Sequence, residues 1–275
     1  MGLPGFRKAI KEAKGACLLR DLAGKILGVD TFVPLHKYAV RHAHLLASPH
    51  ATEREKGAKL VSEDYRNWVI YLHSKDIRVV SVLDGGKLTG KVVNQTRQQR
   101  IAHAQAAWTS LMLDMDATSR PEDRDTAFRE EVKKLEKQIA TVTEDVVIAC
   151  LCELRRCGLC YIRAPYEADA QLAYMARKKI IDVVYSEDSD LIIHGVDHVV
   201  FGLNFLRSGW CYSVTQNALS QFERIDNENP LLHTIHAKVK SGWSVSDVLV
   251  PYSILMGCVY MPKVRGCTQK RAVEL

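Results

Sequence analysis

The sequence predicts an α/β fold with a mostly parallel central sheet flanked by helices. Five short runs are apolar almost throughout and rich in β-branched residues, as strands are when a parallel sheet buries both faces. Segments with helical periodicity lie between these runs, and the alternation of strands and helices is typical of an α/β sheet. Several runs end in a carboxylate, at the sheet edge where such folds bind their ligands.

The predicted strands, in chain order, are Lys25–Asp30, Arg78–Asp84, Leu159–Arg163, Ile181–Tyr185 and His198–Phe201. Apolar residues at helical spacing predict helices over Ser62–Lys75 and Thr143–Cys157. We place Thr143 as the N-cap of the second helix and Gly158 as its stop, because these residue types favour those positions.

The middle of the chain has a different composition. Residues 111–143 are dense in charge and poor in large apolar side chains, which predicts a solvated helical insertion and not a boundary between domains. We therefore expect a single domain in which residues 1–110 and 144–275 form the core and residues 111–143 are the insertion.

Composition excludes some classes of protein and leaves others open. The 275 residues, 47% of them hydrophobic, are enough to bury a globular core, and no apolar run reaches the roughly 20 residues that span a bilayer. The net charge of +6 is uneven, because no Asp or Glu occurs from Gly85 to Leu113. The basic residues in that stretch suit a phosphate backbone, although a solvated helix face gives the same pattern. They are Lys87, Lys91, Arg97 and Arg100.

Two patterns that would point to other chemistry are incomplete. Gly85-x4-Gly90-Lys91 follows a predicted strand like a P-loop, but Val92 stands where magnesium binding needs Ser or Thr. The eight cysteines contain no paired CxxC motifs, so we expect reduced thiols and neither a zinc site nor a disulfide framework.

Six carboxylates end predicted strands or begin the helices after them. They are Asp30, Asp84, Glu167, Asp169, Asp188 and Asp190. Any one of them alone is best read as a helix N-cap, but six at the same sheet edge would repel each other strongly. Divalent cations relieve such repulsion, and hard oxygen ligands favour magnesium or manganese. Two such ions, about 4 Å apart, can activate a water and stabilise the leaving oxygen of a phosphodiester.

The segments around these acids resemble a known family. They are Met1–Phe6, Val29–Phe32, Leu83–Gly85, Ala164–Tyr174 and Ser186–Leu191. Together they resemble the XPG-type structure-specific nucleases, most closely the eukaryotic exonuclease 1 branch, and Ala164–Tyr174 is the strongest match. The similarity runs from Gly2 to about residue 271 and is weakest from roughly 100 to 140.

The resemblance implies a PIN-like core with two magnesium ions, for which manganese can substitute, and with the six acids as metal ligands. It implies 5′→3′ exonuclease or 5′-flap endonuclease activity on DNA, in repair or replication. Residues 111–143 would then be a helical arch inserted in one nuclease domain. Lys91, at the base of the arch, would polarise the scissile phosphate, and Arg97 or Arg100 would take the place of the arch arginine.

The resemblance also implies the partner and the location. We expect a monomer in the nucleus that binds 5′ flaps and nicked or recessed duplex ends. The residues expected to contact DNA are Gly2, Lys87, Lys91, Tyr166, Arg265 and Lys270. For Tyr166, stacking on a terminal base and simple packing are both open.

Two departures from the family pattern keep other functions open. Val259, in Gly257-Cys258-Val259-Tyr260, stands where the family has a seventh acid. Val264–Arg271 lacks the second glycine of the family's hairpin, so we expect a truncated or degenerate helix-hairpin-helix and a doubtful potassium site. The alternatives to an active enzyme on DNA are a homologue that binds nucleic acid without cutting it and a PIN-like ribonuclease.

Overall fold

The computed structural model describes residues 6, 13–86, 93–118, 126–203, 209–221, 230–258 and 261–274. The chain divides into two compact units. The sheet unit comprises residues 1–31, 70–91 and 160–275, and the helical unit comprises residues 32–69 and 92–159. Among the described helices, none combines the length and apolar character that crossing a membrane requires.

A seven-stranded mixed sheet forms the centre of the sheet unit. Its strands are β1 (Gly15–Leu18), β2 (Ile26–Asp30), β3 (Arg78–Leu83), β4 (Tyr161–Arg163), β5 (Val183–Tyr185), β6 (His198–Phe201) and β7 (Trp210–Thr215). Their order across the sheet is β1-β7-β6-β5-β2-β3-β4. Neighbours from β6 to β4 pair in parallel, whereas β7 pairs antiparallel with both β6 and β1. The predicted, mostly parallel sheet is therefore confirmed.

All five predicted strands occur, and the two that the sequence did not predict form the antiparallel edge of the sheet. His198–Phe201 has the predicted bounds, and the other four differ by one or two residues at an end. β7 was missed because exposed and buried side chains alternate at its start, with Trp210 and Tyr212 exposed and Cys211 buried. Such a strand does not show the continuous apolar run that predicts a strand with both faces covered.

The helices of the sheet unit pack their apolar side chains on this sheet. They are α7 (Ala168–Arg177), α8 (Asp190–Ile193), α9 (Gln216–Ser220), α10 (Pro230–Lys240), α11 (Val245–Met256) and α12 (Gln269–Glu274). Gly28 of β2 makes close packing possible, because a Cβ there would lie 2.8 Å from Leu172 of α7 and 2.4 Å from Ile181. Leu172 and Ile181 belong to the same buried core as residues of α8, α10 and α11.

The helical unit holds the predicted insertion and the helices on either side of it in the sequence. The described helices of this unit are α1 (Phe32–Arg41), α2 (Ala43–Leu46), most of α3 (Ala51–His73), α4 (Val93–Thr118), α5 (Thr126–Ile139) and α6 (Glu144–Arg156). The predicted helix at Ser62–Lys75 is largely the second half of α3. Thr143 is at the N-cap of α6 as predicted, but its side chain makes no capping hydrogen bond.

The insertion boundaries at 110 and 143 remain predictions. Residues 111–143 contain the end of α4 and the whole of α5. Leu135 and Ile139 of α5 are buried with Ala104 of α4, so the charged segment packs through a small apolar cluster on the helix before it. The eight cysteines are free thiols in the structure, and the absence of a zinc site among them remains a prediction.

Candidate metal centre

The six predicted ligands follow four neighbouring parallel strands. Asp30 is the last residue of β2, and Asp84 comes directly after β3. Glu167 is the N-cap of α7, the helix that follows β4, and Asp169 is in its first turn. Asp188 and Asp190 follow β5, and Asp190 begins α8. Because β5, β2, β3 and β4 are adjacent and parallel, their carboxyl ends place these acids at one edge of the sheet.

Asp169 is partly buried, and one of its carboxylate oxygens is enclosed. Its Oδ1 is enclosed and has no hydrogen-bond partner. Burial raises the pKa of this carboxyl well above its usual range, and the charges of Asp30, Asp188, Asp84 and Asp190 raise it further. Five carboxylates therefore share one electrostatic environment, and a charged, unpartnered Asp169 is costly there unless a cation or a proton neutralises it.

Hydrogen bonds fix the orientation of three acids around Asp169. Oδ1 of Asp84 accepts a hydrogen bond of 2.8 Å from the backbone N–H of Ala168, which ties the end of β3 to the start of α7. Oδ1 of Asp188 accepts one of 3.1 Å from the N–H of Asp190. Oδ2 of Asp30 accepts one of 3.0 Å from the hydroxyl of Ser186.

These residues fit a hard divalent cation by their donor chemistry. The donors are all carboxylate oxygens, and the unpartnered Oδ1 of Asp169 is a buried atom that a cation would satisfy. Within the described ranges, however, no three His, Cys, Asp or Glu side chains converge closely enough to form a ready-made ligand set. The number of ions is therefore not fixed by this arrangement.

The other predicted site residues are distributed between both units. Arg100 is exposed on α4 of the helical unit. Arg97 is on the same helix, and its side chain is not among those that the structure describes. Tyr166, next to Glu167, is 57% exposed. Arg265 and Lys270 are exposed near α12. Gly2, Lys87, Lys91 and Val259 lie outside the described residues.

Ser186 is the residue that sequence reasoning missed. It is completely buried directly after β5, and its hydroxyl contacts two segments of the acidic site. A small hydroxyl residue between a buried strand and an acidic loop was visible in the sequence, but its partner Asp30 is 156 positions away. Only the parallel pairing of β2 with β5 brings the two together.

Part of this site lies in a segment that matches a known protein family. Residues 158–258 match the XPG I-region, an interval that contains Glu167, Asp169, Asp188 and Asp190. Over this interval the chain is similar to the XPG-type nucleases. The predicted resemblance is therefore confirmed.

Individual XPG-type relatives are similar over nearly the whole chain. Exodeoxyribonuclease 1 of Schizosaccharomyces pombe is 26% identical over 272 residues, which cover 96% of this chain and 43% of the relative. Flap endonuclease 1 of Methanocaldococcus jannaschii is 26% identical over 263 residues, which cover 95% of this chain and 71% of the relative. The chain spans less than half the length of the exonuclease 1 relatives that it matches.

Solved structures of XPG-type proteins have the same fold. The catalytic core of Rad2 in complex with DNA substrate aligns with a TM-score of 0.59 at 18% identity, over 99% of this chain and 67% of that one. The Holliday junction-resolving enzyme GEN1, in complex with product DNA and Mg²⁺, aligns with a TM-score of 0.52 at 18% identity, over 99% and 50%. These similarities confirm the PIN-like fold.

Proposed function

We propose that this chain is a metal-dependent nuclease that hydrolyses DNA phosphodiesters as a 5′→3′ exonuclease or a 5′-flap endonuclease. The observation that carries the proposal is the enclosed, unpartnered Oδ1 of Asp169 among four other aspartates at the carboxyl edge of the sheet. The names of the relatives, exodeoxyribonuclease 1 and flap endonuclease 1, support this reaction. The Rad2 core and GEN1, which share the fold, were solved with DNA.

The six acids would hold two magnesium or manganese ions. When bound, such ions supply an activated water and neutralise the negative charge that develops on the phosphate. The chain's own contribution is to enclose Oδ1 of Asp169 without a hydrogen-bond partner, where a cation would satisfy it, and to orient Asp30, Asp84 and Asp188 by hydrogen bonds. Lys91, with Arg97 or Arg100, would stabilise charge on the scissile phosphate.

Exposed aromatic and basic side chains of the sheet unit are consistent with DNA as the polymer that is cut. Tyr166 lies next to Glu167 in the sequence, and its exposed ring allows a base to stack on it. Arg265 and Lys270 are exposed and suit the phosphate backbone of a duplex. Gly2 and Lys87 would add contacts to the DNA. A potassium ion bound at Val264–Arg271 is also part of this proposal. By its relatives, the chain would act as a monomer in the nucleus.

Val259 favours a second function. It stands where the family has a further acid, and a valine side chain cannot bind a cation. Loss of one ligand weakens ion binding, so the second candidate is a homologue that binds DNA junctions without cutting them. Retention of the other six acids favours the enzyme.

The test is cleavage of a 5′-labelled flap and a nicked duplex, first with magnesium and then with manganese. Asp188→Asn keeps the size of the side chain and an acceptor for Asp190 but removes the charge. Asp197→Asn is the control, because Asp197 is an exposed acid that pairs with Lys179. We expect metal-dependent cutting that falls by at least about 100-fold in Asp188→Asn and is unchanged in Asp197→Asn.

The opposite outcome is equally specific. If the wild-type chain binds the flap but leaves it intact with either metal, the enzyme is refuted and the binding function stands. Val259→Asp then shows whether the missing acid is the reason. A flap whose cleaved strand is RNA, tested beside the DNA flap, separates a ribonuclease from a deoxyribonuclease.

A further inference from the structure

Ser186 connects two acidic segments that come from different strands. It follows β5 directly and is completely buried. Its Oγ donates a hydrogen bond of 3.0 Å to Oδ2 of Asp30, at the end of β2. The same oxygen accepts a hydrogen bond of 3.0 Å from the backbone N–H of Asp188. The Ser186 hydroxyl therefore donates to the acid at the end of β2 and accepts from the acidic loop that follows β5.

The backbone around Ser186 is held by the sheet. β5 is paired on one side with β2 and on the other with β6. The N–H of Ser186 continues the second pairing by donating to the carbonyl oxygen of Val200. The Ser186 hydroxyl is thus attached to the rigid centre of the fold, and it can fix side chains and loops that are less constrained.

Electrostatic repulsion acts on the groups that Ser186 contacts. Asp30 and Asp188 are among the charges that act on Asp169, so the carboxylates repel one another. A hydrogen bond donated to Asp30 offsets part of this repulsion and selects one orientation of its carboxylate. The bond from Asp188 N–H shapes the loop that also leads to Asp190.

We propose that Ser186 is a positioning residue, whose hydroxyl orients Asp30 and the Asp188 loop for a divalent cation. The inference rests on the proposed function, because it takes these acids to be the ligands of that cation. Removal of groups that orient metal ligands typically weakens metal binding by about 10–100-fold. Ser186→Ala removes both hydrogen bonds at once.

Ser189 provides a matched control within the same loop. It is as completely buried as Ser186 and lies between Asp188 and Asp190, but its Oγ has no hydrogen-bond partner. Ser189→Ala therefore removes the same hydroxyl from an equally buried position in the same loop, without breaking a hydrogen bond to an acid. Any difference between the two alanine variants belongs to the hydrogen bonds of Ser186.

The experiment is a titration with Mn²⁺ in which the free ion is counted by electron paramagnetic resonance. It uses the wild-type chain, Ser186→Ala, Ser189→Ala and Ser186→Cys, after melting curves in metal-free buffer have shown which variants fold. We expect the Kd for Mn²⁺ to rise by about 10–100-fold in Ser186→Ala and to stay within about two-fold of wild type in Ser189→Ala. The cysteine, a weak donor of similar size, should bind with intermediate affinity, and it decides the matter if Ser186→Ala does not fold.

The proposal is overturned if Ser186→Ala or, should that variant not fold, Ser186→Cys binds Mn²⁺ as wild type does. It is also overturned if both alanine variants are weakened equally. Flap cleavage by the same samples separates it from the proposed function. A wild-type chain that binds Mn²⁺ but does not cut refutes the nuclease and leaves the role of Ser186 standing. A wild-type chain that binds no Mn²⁺ refutes both.

Discussion

The backbone N–H of Gly85 donates a hydrogen bond of 2.6 Å to the carbonyl oxygen of Tyr166. This bond joins the loop after β3, which carries Asp84, to the loop after β4, which leads to Glu167. A Cβ at position 85 would lie 1.8 Å from the carbonyl oxygen of Ala164, so only glycine fits between the two loops. Gly85 thus has a packing role at the acidic site, which explains a glycine in a sequence that partly resembles a P-loop.

Gly85→Ala should destabilise the fold and disturb the acidic site. The clash is with backbone, which cannot rotate away, so we expect a loss on the order of 2–3 kcal/mol in the free energy of unfolding. Gly86→Ala is the control, because a Cβ there would be 3.3 Å from the nearest atom, the carbonyl oxygen of Pro165. Urea denaturation measures both. Equal losses in the two variants would show that the close contact at position 85 has no special cost.

The sequence predicted the location of the acids well because their placement needs little tertiary information. A carboxylate at the end of a buried parallel strand, such as Asp30 or Asp84, has its position set by the strand itself. The link from Ser186 to Asp30 could not be predicted, since it depends on which strand lies beside β5. β7 escaped prediction because alternation replaces a continuous apolar run at its start, and β1 because it is only four residues long and its first two residues are exposed.

The ion pairs of Glu153 should make the free energy of unfolding depend on pH in the acid range. Glu153 accepts hydrogen bonds of 2.7 and 2.9 Å from Arg156 and also pairs with Arg66 of α3. The Arg156 hydrogen bonds, with the charges of both arginines, lower its pKa to about 2 from an ordinary value of 4.5. The unfolded chain therefore binds more protons there between pH 4.5 and 2. The contribution of Glu153 is complete above about pH 4.5 and is lost as the pH falls towards 2.

Glu153→Gln should make stability less sensitive to pH in that window. We expect it to lower the free energy of unfolding at pH 7 by on the order of 1–3 kcal/mol and to reduce the slope between pH 4.5 and 2. Urea midpoints at several pH values measure both effects. The comparison variant is Glu131→Gln, which removes a more exposed pair with Lys134. A slope that is the same in wild type and Glu153→Gln would contradict the assignment.

The thiols should differ sharply in reactivity. Burial raises the pKa of Cys150 and Cys211 to about 12, whereas Cys152 and Cys160 are exposed. Because the thiolate is the reactive form, iodoacetamide at pH 8 should label Cys152 and Cys160 first, as measured by mass spectrometry. Cys150 and Cys211 should react only after unfolding. If Cys152 and Cys160 are protected until a chelator is added, a zinc site exists there and the expectation of free thiols is wrong.

Asp169 should make the folded chain less stable without metal and more stable with it. Its Oδ1 is buried without a partner, and burial and the neighbouring aspartates oppose its charge. Asp169→Asn removes the charge at nearly constant volume, so the Tm in metal-free buffer should rise. In the wild-type chain, Mg²⁺ at 100 times its Kd should add about 2.7 kcal/mol of stability, and this gain should be lost or much reduced in Asp169→Asn.

Differential scanning fluorimetry measures the Tm of the wild-type chain and of Asp169→Asn, each in EDTA and in Mg²⁺. Asp197→Asn serves as the reference for removing an exposed acid. A variant that is less stable than wild type in EDTA would mean that the carboxylate of Asp169 is stabilised by its surroundings. A variant that gains as much from Mg²⁺ as wild type does would mean that the cation binds elsewhere. Asp169→Asn is expected to raise stability without metal and to reduce the stabilisation by Mg²⁺, because the charge of Asp169 is unfavourable alone and favourable beside a cation. A side chain with a purely structural role would not produce these opposite effects.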